Sequence, residues 1–239
     1  MSAEAGTLLS VEALEAGYGT SQVLDSLTFS MGAEAVCVVG RNGMGKSTLC
    51  KTIMGMVKPT AGAITFSGRR IDGLAPEKIA RAGIAYVPQG RRLFPSLTVE
   101  EHLAMLAPES RGKRWTPAAV YELFPRLADR RRNGGAELSG GEQQMLAVGR
   151  ALLLNTPLIV MDEPSEGLAP SIVDDLIDVV RRLVSEGVAV LVVEQNLRAA
   201  TAMSQRQLVM TSGRIEIELT ASQLLESTEL QSTYLGVDA

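Results

Sequence analysis

The sequence predicts an α/β fold. Three observations lead there. Short apolar runs of strand length alternate with longer segments of helical periodicity along the 239 residues. One of those runs, at 36–39, leads directly into a glycine-rich loop and then into a helical pattern. The apolar share of 46% is that of a chain able to bury a core, with no internal repeat and no long linker.

The strands are expected at 8–13, 36–39, 63–66, 84–87, 158–161, 188–193 and 207–210. Helices are expected at 46–56, 76–82, 141–154, 171–185 and 197–203. Between Arg91 and Gly135 the strand signals stop. Helix-like pieces at 99–106 and 117–127 take their place, broken by Pro108, Gly112 and Pro125. The order reads as a single domain over 1–239: a core from 1–90 and 155–239, and a helical insertion at 91–154.

Composition narrows the function classes. Acidic residues outnumber basic ones, 27 to 23, for a formal net charge of −4. That argues against a bulk basic nucleic-acid binder. The two cysteines, Cys37 and Cys50, have no metal-ligand spacing and read as buried, reduced thiols, which favours a reducing compartment. The longest clean apolar run, 188–193, falls far below the roughly 18–20 residues of a spanning helix. Residues 1–9 lack a basic region followed by an apolar block, so no signal peptide is expected. A cytosolic chain is expected; if it works at a membrane, something else must hold it there. No nucleophilic triad and no structural metal site is expected.

Gly40-Arg41-Asn42-Gly43-Met44-Gly45-Lys46-Ser47-Thr48 fits the phosphate-loop pattern G-x-x-x-x-G-K-[ST]. Glycines let the backbone turn sharply and aim successive N–H groups inward as an anion nest. The helix that begins near Lys46 adds its positive end. Lys46 is expected to reach the β- and γ-phosphates of ATP, and Ser47 to ligate Mg²⁺. At 158–163 an apolar strand ends in Asp162-Glu163. Paired with the phosphate loop, Asp162 is expected to hold Mg²⁺ and Glu163 to take the proton of the attacking water.

Leu138-Ser139-Gly140-Gly141-Glu142-Gln143-Gln144 opens a further helix and makes a second N-terminal anion site. Two anion sites for one nucleotide make sense when the second serves another molecule. With these three motifs in order, the chain resembles the ABC ATPases over nearly its whole length. The resemblance implies a P-loop NTPase cassette: a RecA-like core with an N-terminal antiparallel β part and a helical subdomain. It implies two subunits meeting head to tail, each ATP clamped between one phosphate loop and the other subunit's Ser139, Gly140, Gly141 and Glu142. Tyr18 resembles the aromatic that stacks on adenine, although a surface or packing tyrosine also fits the sequence. Gln89, in Val87-Pro88-Gln89-Gly90, matches the glutamine that contacts Mg²⁺ and the attacking water.

The chain departs from the family at two places. Gln195 takes the place of the usual switch histidine, and Ala169 stands where many relatives have Asp. The only histidine is His102, read as a surface or packing residue. Gln195 can donate a hydrogen bond to a γ-phosphate but cannot carry a proton. These departures, with 87–101, 163–170 and the ending Thr233-Tyr234-Leu235-Gly236, resemble one branch: the smaller ATPase subunit of branched-chain amino acid importers and their urea or amide relatives. That resemblance implies a second ATPase subunit as partner, a different and longer one or a second copy. It also implies two transmembrane permease subunits, and indirectly a periplasmic solute-binding protein. It implies a peripheral location on the cytoplasmic face of the inner membrane, no nucleic acid, and no appended regulatory domain.

Arg91, Arg92, Leu93, Phe94, Pro95 and Leu97 are the candidates for docking a membrane-subunit helix. Leu93, Phe94 and Leu97 serve equally well as core of the insertion. The run Arg130-Arg131-Arg132 reads as solvated surface. Two other functions fit the motifs less well. An ABC ATPase acting on DNA or ribosomes usually brings tandem cassettes or coiled coils, absent here. An ATP sensor with little hydrolysis is compatible with Gln195 and Ala169 but not with Glu163.

Overall fold

The computed structural model describes residues 6–107 and 113–235. Pro108, Gly112, Gly236 and the first five residues of the N-terminal stretch lie outside them. Two sheets organise the chain. A four-stranded antiparallel sheet runs in the order β2-β1-β4-β5, from Leu9–Tyr18 (β1), Ser21–Met31 (β2), Pro59–Phe66 (β4) and Arg69–Arg70 (β5). A six-stranded sheet runs in the order β10-β9-β3-β8-β7-β6. Its strands are Ala35–Val39 (β3), Ile84–Val87 (β6), Leu158–Asp162 (β7), Ala189–Glu194 (β8), Arg206–Thr211 (β9) and Arg214–Thr220 (β10). All its pairings are parallel except β9 with β10.

The central strands are apolar runs because both faces are covered. All of Leu158–Asp162 and Ala189–Glu194 is buried. Alternate side chains feed two cores, one on each side of the sheet. Cys37, Met161 and Val192 face one; Val38, Val160 and Leu191 face the other. Both cysteines are fully buried and free, and burial pushes both thiols well up from their ordinary range.

The helices are Lys46–Ile53 (α1), Pro76–Ala82 (α2), Val99–Ala104 (α3), Pro117–Leu123 (α4), Pro125–Asp129 (α5), Gly140–Leu153 (α6), Pro170–Ser185 (α7), Leu197–Met203 (α8), Ala221–Glu226 (α9) and Thr228–Leu230 (α10). A π-helical turn, Gln231–Leu235, follows. Three expectations are corrected. The helix expected over 46–56 ends at Ile53, where Met56 and Val57 N–H groups fold back onto Lys51 O and Gly55 takes a left-handed φ of 70°. The helix expected over 117–127 is two helices, because Phe124 precedes a proline and leaves the helical region at φ −124°, ψ 77°. The helix expected over 99–106 closes at Ala104.

Strands β2, β5 and β10 and the C-terminal helices α9 and α10 had no sequence counterpart. The strand expected at 8–13 continues to Tyr18, because bulges between Val11 and Gly17 take up Ala13, at φ 44°, while Glu12 and Glu15 stay paired with Ala63 and Ala61 of β4. Among the described residues, no helix is long and apolar enough to cross a membrane.

Candidate nucleotide site

The phosphate loop leaves β3 at Gly40 and enters α1 at Lys46. A Cβ on Gly40 would overlap Met210 O of β9. Gly43 and Gly45 hold left-handed φ values of 82° and 102°, so the turn needs glycine at both. The loop is tied down from outside. Gly213 N donates to Met44 O at 3.1 Å, and the Arg41 guanidinium donates to Ser232 O at 2.7 Å and Thr233 O at 3.3 Å. A cavity of about 310 Å³ opens over it, lined by Asn42, Gly43, Gly45 and Lys46 through Thr48, with Val23, Gln89, Glu163 and Glu166 around them.

Lys46 is 3% exposed. Its ammonium donates to Gly40 O at 2.9 Å and Arg41 O at 3.0 Å, and pairs with Glu163 Oε1 at 3.1 Å. Glu163 follows β7 in a left-handed turn, φ 47°, with its N–H donating to Val193 O at 2.9 Å. That turn carries the carboxylate off the strand and into the cavity. Gln89, just past β6, donates from Nε2 to Glu163 Oε2 at 3.1 Å and to Glu166 Oε2 at 2.9 Å.

Ser47 Oγ donates to Asp162 Oδ1 at 2.8 Å, and Tyr86 OH donates to Asp162 Oδ2 at 2.9 Å. A hydroxyl and a buried carboxylate side by side are hard oxygen donors. They fit a small divalent cation that takes most of its ligands from water and phosphate. The cradle of left-handed glycines and the ammonium fit the phosphates themselves.

The Leu138–Gln144 string behaves as the sequence predicts at its own location. Ser139 is the N-cap of α6: its Oγ accepts from Glu142 N at 3.3 Å, and Glu142 Oε2 accepts from Ser139 N at 2.7 Å, a closed capping box. Burial works to raise the Glu142 carboxyl, but the Ser139 hydrogen bonds and the Arg130 and Arg126 guanidinium groups hold it below its ordinary value. Gly140 lies under the Arg91 guanidinium, which donates to Gln143 Oε1 at 3.3 Å, and Gly141 lies against Ile172 of α7. None of Ser139, Gly140, Gly141 or Glu142 lines the phosphate cavity.

Residues 24–166 match the family described as ABC transporter. The chain is 40% identical to the high-affinity branched-chain amino acid transport ATP-binding protein BraG of Pseudomonas aeruginosa, over 96% of this chain and 100% of that one. The chain belongs to the ABC transporter family. It is 31% identical to the lipopolysaccharide export system ATP-binding protein LptB of Haemophilus influenzae, over 96% of this chain and 98% of that one. The fold is similar to a nucleotide-free ATP-binding cassette from an ABC transporter, with a TM-score of 0.83, 26% identity, and coverage of 98% of this chain and 100% of that one.

The cassette gathers Asn42, Gly43, Gly45 to Thr48, Gln89 and Glu163 around one cavity, with Asp162 buried behind Ser47. It does not bring Tyr18 into that lining: Tyr18 ends β1, 49% exposed. Gln195 is exposed on an adjoining cavity of about 410 Å³ that shares Glu163 and Glu166 with the first. Next to it, sequence reasoning passed over Glu194. This buried carboxylate accepts from Ser165 N at 2.9 Å, Gln195 N at 3.1 Å and Asn196 N at 3.2 Å, so it joins the loop after Glu163 to the loop bearing Gln195. Burial pushes its carboxyl up, opposed by those hydrogen bonds. An acid closing an apolar strand, as at Asp162, was the available signal.

His102 is not a surface residue of the cassette. It is fully buried on α3, its Nε2 accepting from Phe94 N at 3.0 Å and its Nδ1 lying 2.8 Å from Thr98 O. A carbonyl only accepts, so Nδ1 carries the proton and the imidazole is neutral. Phe94 itself is 47% exposed, with the Arg150 guanidinium 5.7 Å from its ring centre, while Leu93 packs against the core. The segment borders a groove of about 280 Å³ lined by Tyr86, Pro88, Arg91, Arg92, Leu106, Arg150 and Leu154, among others.

Proposed function

We propose that this chain is the ATP-hydrolysing subunit of an ABC importer for branched-chain amino acids or related small solutes such as urea or amides. The observation that carries the reading is the convergence of Lys46, Glu163, Gln89 and Ser47 on one cavity, with Asp162 buried behind Ser47 and the Ser139–Glu142 helix start turned elsewhere. The full-length similarity to BraG, higher than that to LptB, supports the import branch.

In this reading the phosphates of ATP lie along the N–H groups of Gly40 to Thr48, with Arg41, Asn42 and Met44 contributing backbone only. Lys46 leaves Glu163 and takes the β- and γ-oxygens. Ser47, Asp162 and Gln89 would hold Mg²⁺. When bound, Mg²⁺ neutralises charge developing between the β- and γ-phosphates. Glu163 takes a proton from water as the water oxygen bonds to the γ-phosphorus and the bond to the bridging oxygen breaks, leaving ADP and phosphate. Gln195 donates its amide hydrogen bond to the γ-phosphate, and Tyr18 stacks on the adenine.

Ser139, Gly140, Gly141 and Glu142 close over the ATP of a second ATPase subunit, a longer different one or a second copy. Closure drives two transmembrane permease subunits, which receive solute from a periplasmic binding protein. ATP drives this only by binding the closed pair better than the open one. The chain works as a peripheral subunit on the cytoplasmic face of the inner membrane, held by the permease subunits, and acts on no nucleic acid.

Light scattering of the Glu163→Gln variant, with and without ATP, tests the sandwich. An ATP-dependent shift from monomer to dimer supports it and identifies self-pairing. A monomer that binds ATP assigns the site to a different ATPase partner. Absence of ATP binding sinks the reading. Leucine uptake by the co-expressed permease subunits, lost in Glu163→Gln, tests the solute class.

A further inference from the structure

Asp162 is 1% exposed, and each of its carboxylate oxygens accepts from a different hydroxyl. Ser47 reaches Oδ1 from the phosphate loop. Tyr86 reaches Oδ2 from β6, which pairs with β7 in parallel register, Tyr86 opposite Val160. The two hydroxyls come from different sides. Ser47 lines the phosphate cavity, whereas Tyr86 lines the groove beside Pro88, Arg92 and Arg150 and no part of that cavity.

A carboxylate at a strand end rotates about its last bond unless something holds one oxygen. A phenol on β6, whose other three residues are buried, is such a hold. It occupies Oδ2 from outside the nucleotide cavity and leaves Oδ1 facing Ser47.

We propose that Tyr86 is a positioning residue for the metal site: its hydroxyl fixes the rotation of Asp162 so that Oδ1 stands beside Ser47 for the nucleotide's cation. This rests on the reading that Ser47 and Asp162 hold Mg²⁺. A hydrogen bond to a charged group carries weight that a hydroxyl-to-hydrogen change removes while the ring stays in place.

The test uses the full chain with a non-hydrolysable ATP analogue and Mn²⁺ as the spectroscopic probe. Electron paramagnetic resonance titration gives the Mn²⁺ dissociation constant, and a separate titration in metal-free buffer gives the analogue's affinity. For Tyr86→Phe the expected result is Mn²⁺ binding weakened about tenfold or more, with metal-free nucleotide affinity within about twofold of the parent. Unchanged Mn²⁺ affinity in the folded variant overturns the proposal. So does a parallel loss of both affinities, which would mark general loosening of the phosphate loop. Asp162→Asn separates the two layers. If it retains Mn²⁺ as the parent does, the underlying metal reading has failed, and the role of Tyr86 falls with it.

Discussion

Lys46 and Glu163 meet at 3.1 Å, one from the first turn of α1 and the other from the turn after β7. The ammonium is 3% exposed and the carboxylate 10%, and among the described residues the other partners of that ammonium are two backbone carbonyls. An anion arriving in the phosphate loop competes with Glu163 for the same ammonium. On the proposed function, phosphate binding and release of the carboxylate toward water are one event.

Glu163→Gln removes the proposed proton acceptor and weakens the competitor for Lys46. Turnover is expected to fall by about 10²–10⁴-fold, the usual contribution of a general base. ATP affinity, measured by calorimetry, is expected to hold or tighten. Loss of both together would remove Glu163 from the role of base.

Gln195 cannot titrate, and the only histidine, His102, is sealed in the helical part. The turnover profile of the assembled transporter is expected to lack a histidine limb near pH 6.5. Gln195→His should introduce one. Identical pH–rate profiles for the two proteins would place residue 195 away from the γ-phosphate.

His102 affects stability rather than chemistry. Burial lowers its pKa from the ordinary 6.5, with Arg150 adding to the effect and Thr98 and Glu101 opposing it. The folded state holds the neutral ring, so the unfolded chain binds the extra proton as pH falls. The stability His102 contributes is complete above about pH 6.5 and declines below it. Chemical denaturation of His102→Gln at pH 7 and pH 5 should show a smaller acid loss than the parent. His102→Ala should keep near-normal turnover at pH 7.5 while unfolding at a lower temperature. A large loss of turnover with intact folding would contradict the assignment of Gln195.

Phe94 is half exposed beside the groove, so its ring is available to a partner. Phe94→Ala is expected to leave nucleotide binding and melting temperature nearly unchanged and to reduce co-purification with the permease subunits. Unchanged assembly and unchanged solute-stimulated hydrolysis would remove Phe94 from the docking surface.

Ala169 occupies the N-cap of the sixteen-residue helix α7 at φ −65°, ψ 147°, with no side-chain cap. That backbone suits an Asp cap. Ala169→Asp is expected to add about 0.5–2 kcal/mol, or roughly 2–4 °C in melting temperature per kcal/mol. Scanning calorimetry of the single variant checks it. No rise would mean that an aspartate at 169 does not cap the helix.

The sequence by itself determined what local pattern encodes. The phosphate loop, the strand ending in Asp162-Glu163, the capped helix at Ser139, and the helices Pro76–Ala82 and Leu197–Met203 follow from glycine spacing, capping chemistry and apolar periodicity over a few residues. Strands β2 and β10 escaped because each mixes polar and charged side chains with its apolar ones, and each becomes a strand only against its partner. The tertiary structure alone decided which distant groups share an atom. Tyr86 meets Asp162 across 76 residues of chain, and Ser47 meets it across 115. Glu194 gathers N–H groups from two loops, and His102 is neutral because Phe94 and Thr98 close around it. Parallel strands place their ends together while the chain between them makes its crossovers. Chemistry assembled at those ends carries no short-range signal.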